Sequence, residues 1–322
     1  MRFATTDRSG HARSMVQEER RREVLGMAAL GATVLMWGMS AVAIKAVSTG
    51  GLATATYRLW LAIPALWLTM LAPSMRRRLD AQWLRASIIG GALFSIHQIL
   101  YFVSLKLTSV ANVTIIGALQ PALVLLLARR MFGEPASRAA VSWSGVAFVG
   151  TAMVVMGSPH ATRSSLVGDA MAFVNLFAFT AYFLASKRFR QSVRAWDYVV
   201  GMTTVSGFVI AAITIATRQE LGSPAPWEWL VLAFIAIFPG TLGHVLTNWA
   251  HAHVPAFVAS MILLAVPVIA AAGAWLLVGE SIGAMQIAGG AIVLGSITRI
   301  VRTDRRARTE VLVEGAAFTE SP

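Results

Sequence analysis

NVTIIGALQPALVLLLARRMFGE, residues 112–134, has a second version in VASMILLAVPVIAAAGAWLLVGE, residues 258–280. Each runs through a proline (Pro121, Pro267) to a Gly-Glu pair (Gly133-Glu134, Gly279-Glu280), with the same 13-residue separation and an offset of 146 between copies. A further apolar stretch with paired glycines follows each copy: Gly145 and Gly150, then Gly290 and Gly295. Self-similarity at a fixed period marks an internal duplication, and it is the first feature to look for because missing it misassigns the whole fold.

Outward from this block, 57% of the 322 residues are hydrophobic and 13% are charged, against roughly 25% charged in ordinary soluble domains. The charges cluster and leave long uncharged runs: Val24–Ile44, Leu59–Met75, Ala86–Leu105, Leu107–Ala128, Ala139–Thr162, Ala170–Ser186, Tyr198–Thr217 and Ser281–Thr298. Each approaches or exceeds the roughly 20 residues that span a bilayer. Trp229–Gly279 carries no Lys, Arg, Asp or Glu and has room for two spans, divided near His251–Pro255. The total is ten. Lipid admits only helices or closed barrels, and these runs are too long and too continuously apolar for barrel strands. The expected fold is an all-α polytopic membrane protein whose ten transmembrane helices form two five-helix repeats. Five is odd, so the repeats enter the membrane in opposite senses, and such inverted pairs place a binding site at their interface near the midplane.

The expected domains are a basic tail at 1–23, a first repeat at 24–157, a linker at 158–165, a second repeat at 166–302 and a C-terminal tail at 303–322, read as basic and irregular. The net charge of +12 comes from 27 basic and 15 acidic residues. All but five of the basic residues fall in the two tails and in alternate loops, on one side of the membrane; the exceptions are Lys45, Arg58, Lys106, Arg163 and Arg218. That bias is the positive-inside signal, so both termini are expected in the cytoplasm of a cell-membrane (inner-membrane) protein. Nucleic-acid binding would need one folded basic face, and the charge is not arranged that way. Without cysteine there are no disulfides, thiolate metal sites or Cys nucleophiles.

Polar residues inside the spans are the candidate site. Trp37 lies in the first span and Arg58 about one turn inside the second. An intramembrane arginine is a functional candidate by default. Arg58 has two readings here: a structural pair with Asp169 at similar depth, or a receiver for a substrate carboxylate. His97, Gln98 and Tyr101 share the middle of the third span, and Gln120-Pro121 kinks the fourth because proline removes a helix hydrogen bond. The sixth span adds Asn175 and Tyr182, and the eighth adds His244 and Asn248. Substrate-binding candidates are therefore Trp37, Arg58, His97, Gln98, Tyr101, Gln120, Asn175, Tyr182, His244 and Asn248, with Pro121 and Pro267 as hinges. Glu134 is expected to cap its helix or pair with Arg129, Arg130 or Arg138, and Glu280 to sit at the opposite face. Lys45 is read as a side chain reaching the interface or as part of a pathway mouth. His251, His253 and His244 are weighed as a metal cluster and set aside, since no carboxylate or cysteine accompanies them.

The order of these features resembles the drug/metabolite transporter superfamily with two tandem EamA-like repeats, over about 24–302. The resemblance rests on Trp37-Gly38 with Lys45, Arg58, the Pro121…Gly133-Glu134 block, Gly168-Asp169 with Phe179-Thr180-Ala181-Tyr182, and the Pro267…Gly279-Glu280 block. Phe179 and Thr180 stand where that family usually has tryptophan and alanine. The resemblance implies a ten-helix basket around a central cavity, and export or uptake of small metabolites such as amino acids. The expected function is secondary transport of such a compound, with export the preferred direction, by alternating access, without cofactor or metal, as monomer or homodimer in the lipid bilayer. With no carboxylate at mid-depth, proton coupling would fall to His97 or His244. A polytopic lipid-processing enzyme is the second class considered. ATP-driven transport within the chain is excluded by the missing phosphate-loop motif.

Overall fold

The computed structural model describes residues 7–72, 80–134, 137–157, 165–278 and 281–319, with side chains described between 17 and 304 apart from 274, 277 and 278. The first repeat comprises α1 (Asp7–Ala46), α2 (Gly51–Thr69), α3 (Ala81–Leu107), α4 (Val110–Gly117), α5 (Gln120–Phe132) and α6 (Arg138–Met156). The second comprises α7 (Leu166–Phe189), α8 (Ala195–Ala216), α9 (Pro226–Ile237), a π-helical turn (Phe238–Leu242), α10 (Gly243–Ala250), α11 (Ala256–Leu263), α12 (Val266–Val278) and α13 (Ala284–Thr319). Among the described residues, nine helices are long and apolar enough to cross a membrane. The tenth span is α2, which carries Arg58 and Pro64.

Each proline-centred span is broken into two collinear helices, α4 with α5 and α11 with α12. Pro121 has no N–H to give the carbonyl of Gly117, and the chain tightens into the turn Ala118-Leu119 instead, with Leu119 N bonding Ile116 O at 3.2 Å. The second copy repeats this at Leu264-Ala265, where Ala265 N bonds Ile262 O at 3.1 Å. α4 starts cleanly because Ser109 Oγ accepts from Asn112 N at 3.0 Å.

Packing follows the duplication. α3 lies on α7 as α10 lies on α1; α3 lies on α8 as α9 lies on α2; α4 meets α7 as α11 meets α1. The pairs α2–α8 and α6–α13 join equivalent spans of the two repeats. Even the lysines correspond: Lys45 Nζ donates to Thr108 O at 2.7 Å and Lys187 Nζ to Val254 O at 2.8 Å, with the acceptors one repeat period apart. These exchanges are those of an inverted repeat, and the all-α, ten-helix expectation holds.

The α6–α13 crossing needs small residues. A Cβ on Gly150 would lie 2.9 Å from Gly289 O, and one on Gly289 would lie 2.6 Å from Gly150 O. Gly150→Leu is expected to lower stability in detergent by about 1–3 kcal/mol through overpacking. A melting temperature equal to that of the unmodified protein would show that the crossing tolerates separation.

Two expectations are corrected. α2 begins at Gly51 rather than near Leu59, so Arg58 lies in its second turn. Arg58 is expected about one turn inside the span, and the earlier start of α2 places it about two turns in. The C-terminal stretch is not irregular, because the α13 backbone stays helical to Thr319.

The two repeats are equivalent in sequence but not in closure. Every residue of α11 is buried, and α11 packs on α5 and α1 at the end of the bundle that carries the chain termini. Its counterpart α4 buries only Ala111 and Val113 and leans on α7 and α6. The bundle is sealed at the termini end and looser at the far end.

Candidate functional site

Between the repeats lies a cavity of about 170 Å³. It takes α4 from Val113 onward but only the last turn of α11, from Ser260, so it reaches from mid-depth toward the far end. α3 supplies one wall through residues spaced i, i+3, i+4, i+7 and i+8, namely Phe94, His97, Gln98, Tyr101 and Phe102, of which all but Phe94 line the space. α1 contributes Trp37 and Ser40, α7 contributes Asn175 and Phe179, and α10 contributes His244.

Arg58 is the cation of this wall. It is 4% exposed, its Nη1 donates to Gln98 Oε1, and its guanidinium lies 5.7 Å and 5.6 Å from the ring centroids of Phe94 and Phe102. The expected pair with Asp169 does not form. Asp169 accepts instead from Thr108 Oγ1 at 2.6 Å and Asn112 Nδ2 at 2.9 Å, at the far end of the bundle. These donors come from the C-cap of α3 and the first turn of α4, ten or more residues along the chain from Gln98, the partner of Arg58.

His97 and Asn175 meet at 2.8 Å through Nδ1 and Oδ1; because the amide oxygen accepts, Nδ1 carries the proton. Phe179 lies 4.6 Å from the His97 ring and Trp37 lies 5.0 Å from the His244 ring, giving the cavity an aromatic lining. Tyr182 and Asn248 stand behind His244 rather than on the cavity. Asn248 Nδ2 donates to Tyr182 Oη at 3.4 Å, and the tyrosine hydroxyl meets His244 Nδ1 at 3.1 Å, fixing the imidazole. Gln120 lines the cavity with Nε2 buried and without a partner among the described residues. Pro267 also lines it, whereas Pro121 is buried next to Gln120.

Residues that sequence reasoning passed over are Ser40, Phe102, Thr114, Phe179 (noted only as a departure), Pro239 and Ser260. Pro239 belongs to the π turn, a feature that recurs at functional sites. Its carbonyl accepts from Trp37 Nε1 at 3.0 Å and so orients the indole.

The carboxylates are spread over the two ends. At the far end Glu228 accepts from Ala225 N at 2.6 Å and binds Ser48 through backbone and hydroxyl. At the termini end Asp197 pairs with Arg194 at 2.8 Å, and the carboxylate holds the Arg194 guanidinium above its ordinary value. Glu134 does not pair with its neighbouring arginines. It forms a 2.9 Å ion pair with Lys187, and its other oxygen accepts from Ala256 N at 2.8 Å, capping α11, whose preceding Pro255 has no side-chain cap. Arg129, Arg130 and Arg138 are on Glu134's own span and its successor, while Lys187 and α11 converge on it from the other repeat. Glu280 lies outside the described residues. His251 packs on Phe183 at 4.4 Å and His253 on Trp249 at 4.7 Å, so the three histidines do not converge. Burial, with Lys187 and Arg190 close by, holds His251 well below its ordinary value.

The model of the EamA-like transporter family matches this chain twice, over residues 24–156 and 166–302. A protein of Bacillus subtilis (strain 168) named "Uncharacterized transporter YyaM" is 24% identical over 251 residues, covering 74% of this chain and 80% of its own length. A solved crystal structure at 20% identity superposes with a TM-score of 0.69, covering 89% of this chain and 99% of the other. At that identity the likeness speaks for the fold alone.

Proposed function

The chain belongs to the EamA-like transporter family, and we propose that it is a secondary transporter that moves a small metabolite, an amino acid or a related compound, by alternating access at the central cavity. The observation carrying this reading is the cavity itself: it lies between inverted repeats, is closed at the termini end and holds a buried charge among aromatic rings. A closed end opposite a looser end is what one of two exchanging states would look like. At about 170 Å³ the space is smaller than the roughly 300–1,000 Å³ of sites for drug-sized molecules, which favours a small cargo.

The positive-inside bias supports termini in the cytoplasm of the cell membrane, so the described state faces outward and the preferred direction is export. The breaks before Pro121 and Pro267 are the hinges of this reading, because each already interrupts its helix ladder. His97 or His244 would carry a coupled proton.

Counterflow in proteoliposomes with a panel of labelled amino acids and their acid and amine relatives tests the proposal. Saturable exchange is expected, falling more than roughly tenfold in His97→Ala and in His244→Ala while both variants keep the parent melting temperature, since each would lose an orienting contact to a site held by few polar groups. An imposed pH gradient should drive accumulation. Absence of exchange across the whole panel with tight vesicles would overturn the carrier assignment.

A further inference from the structure

Within that transport reading, the cavity's polar groups are lopsided, and we infer that its cargo is a small organic acid whose carboxylate sits on Arg58 and Gln120 and which carries no free ammonium group. The inference rests on a census of donors and acceptors. Arg58 is the one ionised side chain among the described residues that line the cavity, and no aspartate or glutamate is among them. Its single hydrogen bond to the protein, through Nη1 to Gln98, leaves most of the guanidinium N–H groups uncommitted. Gln120, 4% exposed, brings a second donor, Nε2, that has no partner among the described residues. A buried donor without an acceptor is unfavourable, and a carboxylate oxygen would satisfy it.

The acceptors on the walls are neutral. Gln98 Oε1 takes the Arg58 bond and Asn175 Oδ1 takes the His97 bond. Thr114 and Ser260 give their hydroxyl hydrogens to carbonyls of their own helices, Val110 and Phe257, so what they offer a cargo is an uncharged oxygen. A substrate ammonium would therefore enter a space already holding one positive charge and find no carboxylate among the described lining residues to meet it. Buried charge is tolerated where it is paired. A monoanion pairs Arg58, whereas a zwitterion adds an uncompensated cation and an amine adds nothing that Arg58 can use. Trp37, Phe102 and Phe179 form apolar walls suited to a ring or a branched carbon body.

Three probes share one body and differ only in the head: 3-phenylpropionate, phenylalanine and phenethylamine. Their binding to the purified full-length protein is measured in detergent by calorimetry, and their counterflow in proteoliposomes. The acid is expected to bind at least about tenfold more tightly than phenylalanine, and the amine not at all, because each tenfold step corresponds to a modest change in pairing. Arg58→Met should abolish acid binding, Arg58→Lys should restore part of it, and Gln120→Leu should weaken it. Melting temperatures decide whether Arg58→Met is folded, and should it not fold, the Arg58→Lys and Gln120→Leu pair carries the test.

Phenylalanine or phenethylamine binding as well as the acid would overturn the inference, as would acid binding that ignores both positions, or no binding by the acid at all. The two readings fail separately. Acid binding without counterflow leaves the anion site standing and sinks the carrier. Counterflow of the zwitterion or the amine in preference to the acid keeps the carrier and sinks the anion site.

Discussion

Glu134→Ala is expected to unseal the termini end of the bundle, with two readable effects. The substitution removes an ion pair whose side chains are only 10% and 18% exposed, and it strips α11 of the acceptor for Ala256 N. Lys187 would keep its bonds to Val254 O and His251 O but lose the carboxylate. Removing one partner of a buried pair destabilises by about 3–5 kcal/mol because the other charge stays behind, so the melting temperature should fall by several degrees. The second effect is conformational. The chain has no cysteine, so a single cysteine in place of Ser260 (Ser260→Cys), a position 1% exposed, reports cleanly on the last turn of α11. In the Glu134→Ala background this thiol should react with a membrane-impermeant maleimide applied from the termini side, and in its absence it should not. Glu134→Gln separates the two roles: an amide oxygen can still cap α11, but the charge is gone. Labelling that stays the same in all three proteins would mean that Glu134 does not hold the closed end.

Much of this architecture is present in the order of residues. The duplication around Pro121 and Pro267 predicts the broken spans, because proline's missing N–H acts locally wherever the segment sits. Inward-facing polarity predicts His97, Gln98, Asn175 and His244 around one space, because lipid excludes such faces. What escapes is pairing across the repeats. Glu134 sits beside three arginines in sequence, yet its partners are Lys187 and Ala256 from the other repeat. Arg58 and Asp169 are expected at a similar depth, yet their partners Gln98 and Thr108 stand ten residues apart along α3, about 15 Å in depth. Tyr182 lies about two turns along the same helix from Asn175, on nearly the same face, yet it stands behind His244 rather than on the cavity, a distinction of depth that facing alone does not give. The closure of one end also escapes: a chain with two equivalent halves describes two mirror states equally well, and the choice between them is a matter of energy rather than pattern.

Gly240→Ala is the variant expected to damage function most without touching a cargo. Gly240 sits in the π turn after α9, whose i→i+5 geometry leaves no mark in composition. A Cβ there would lie 2.6 Å from Ile235 O and 2.8 Å from Arg58 Nε. The first neighbour is backbone and cannot swing aside, so either the π turn reshapes or the Arg58 side chain is displaced. Reshaping the turn moves the Pro239 carbonyl that holds Trp37; displacing Arg58 breaks its bond to Gln98. Either way a wall of the cavity shifts by a large part of an ångström, and misplacements of about 1 Å can lower rates on the order of 100-fold. Counterflow of the Gly240→Ala protein should fall at least about tenfold, while Gly145→Ala, whose Cβ would meet nothing within 4 Å, should behave as the parent does. Ordinary exchange in the Gly240→Ala protein would show that Arg58 and Trp37 need no such fixed backbone, and the cavity would then have to be assembled by the cargo itself.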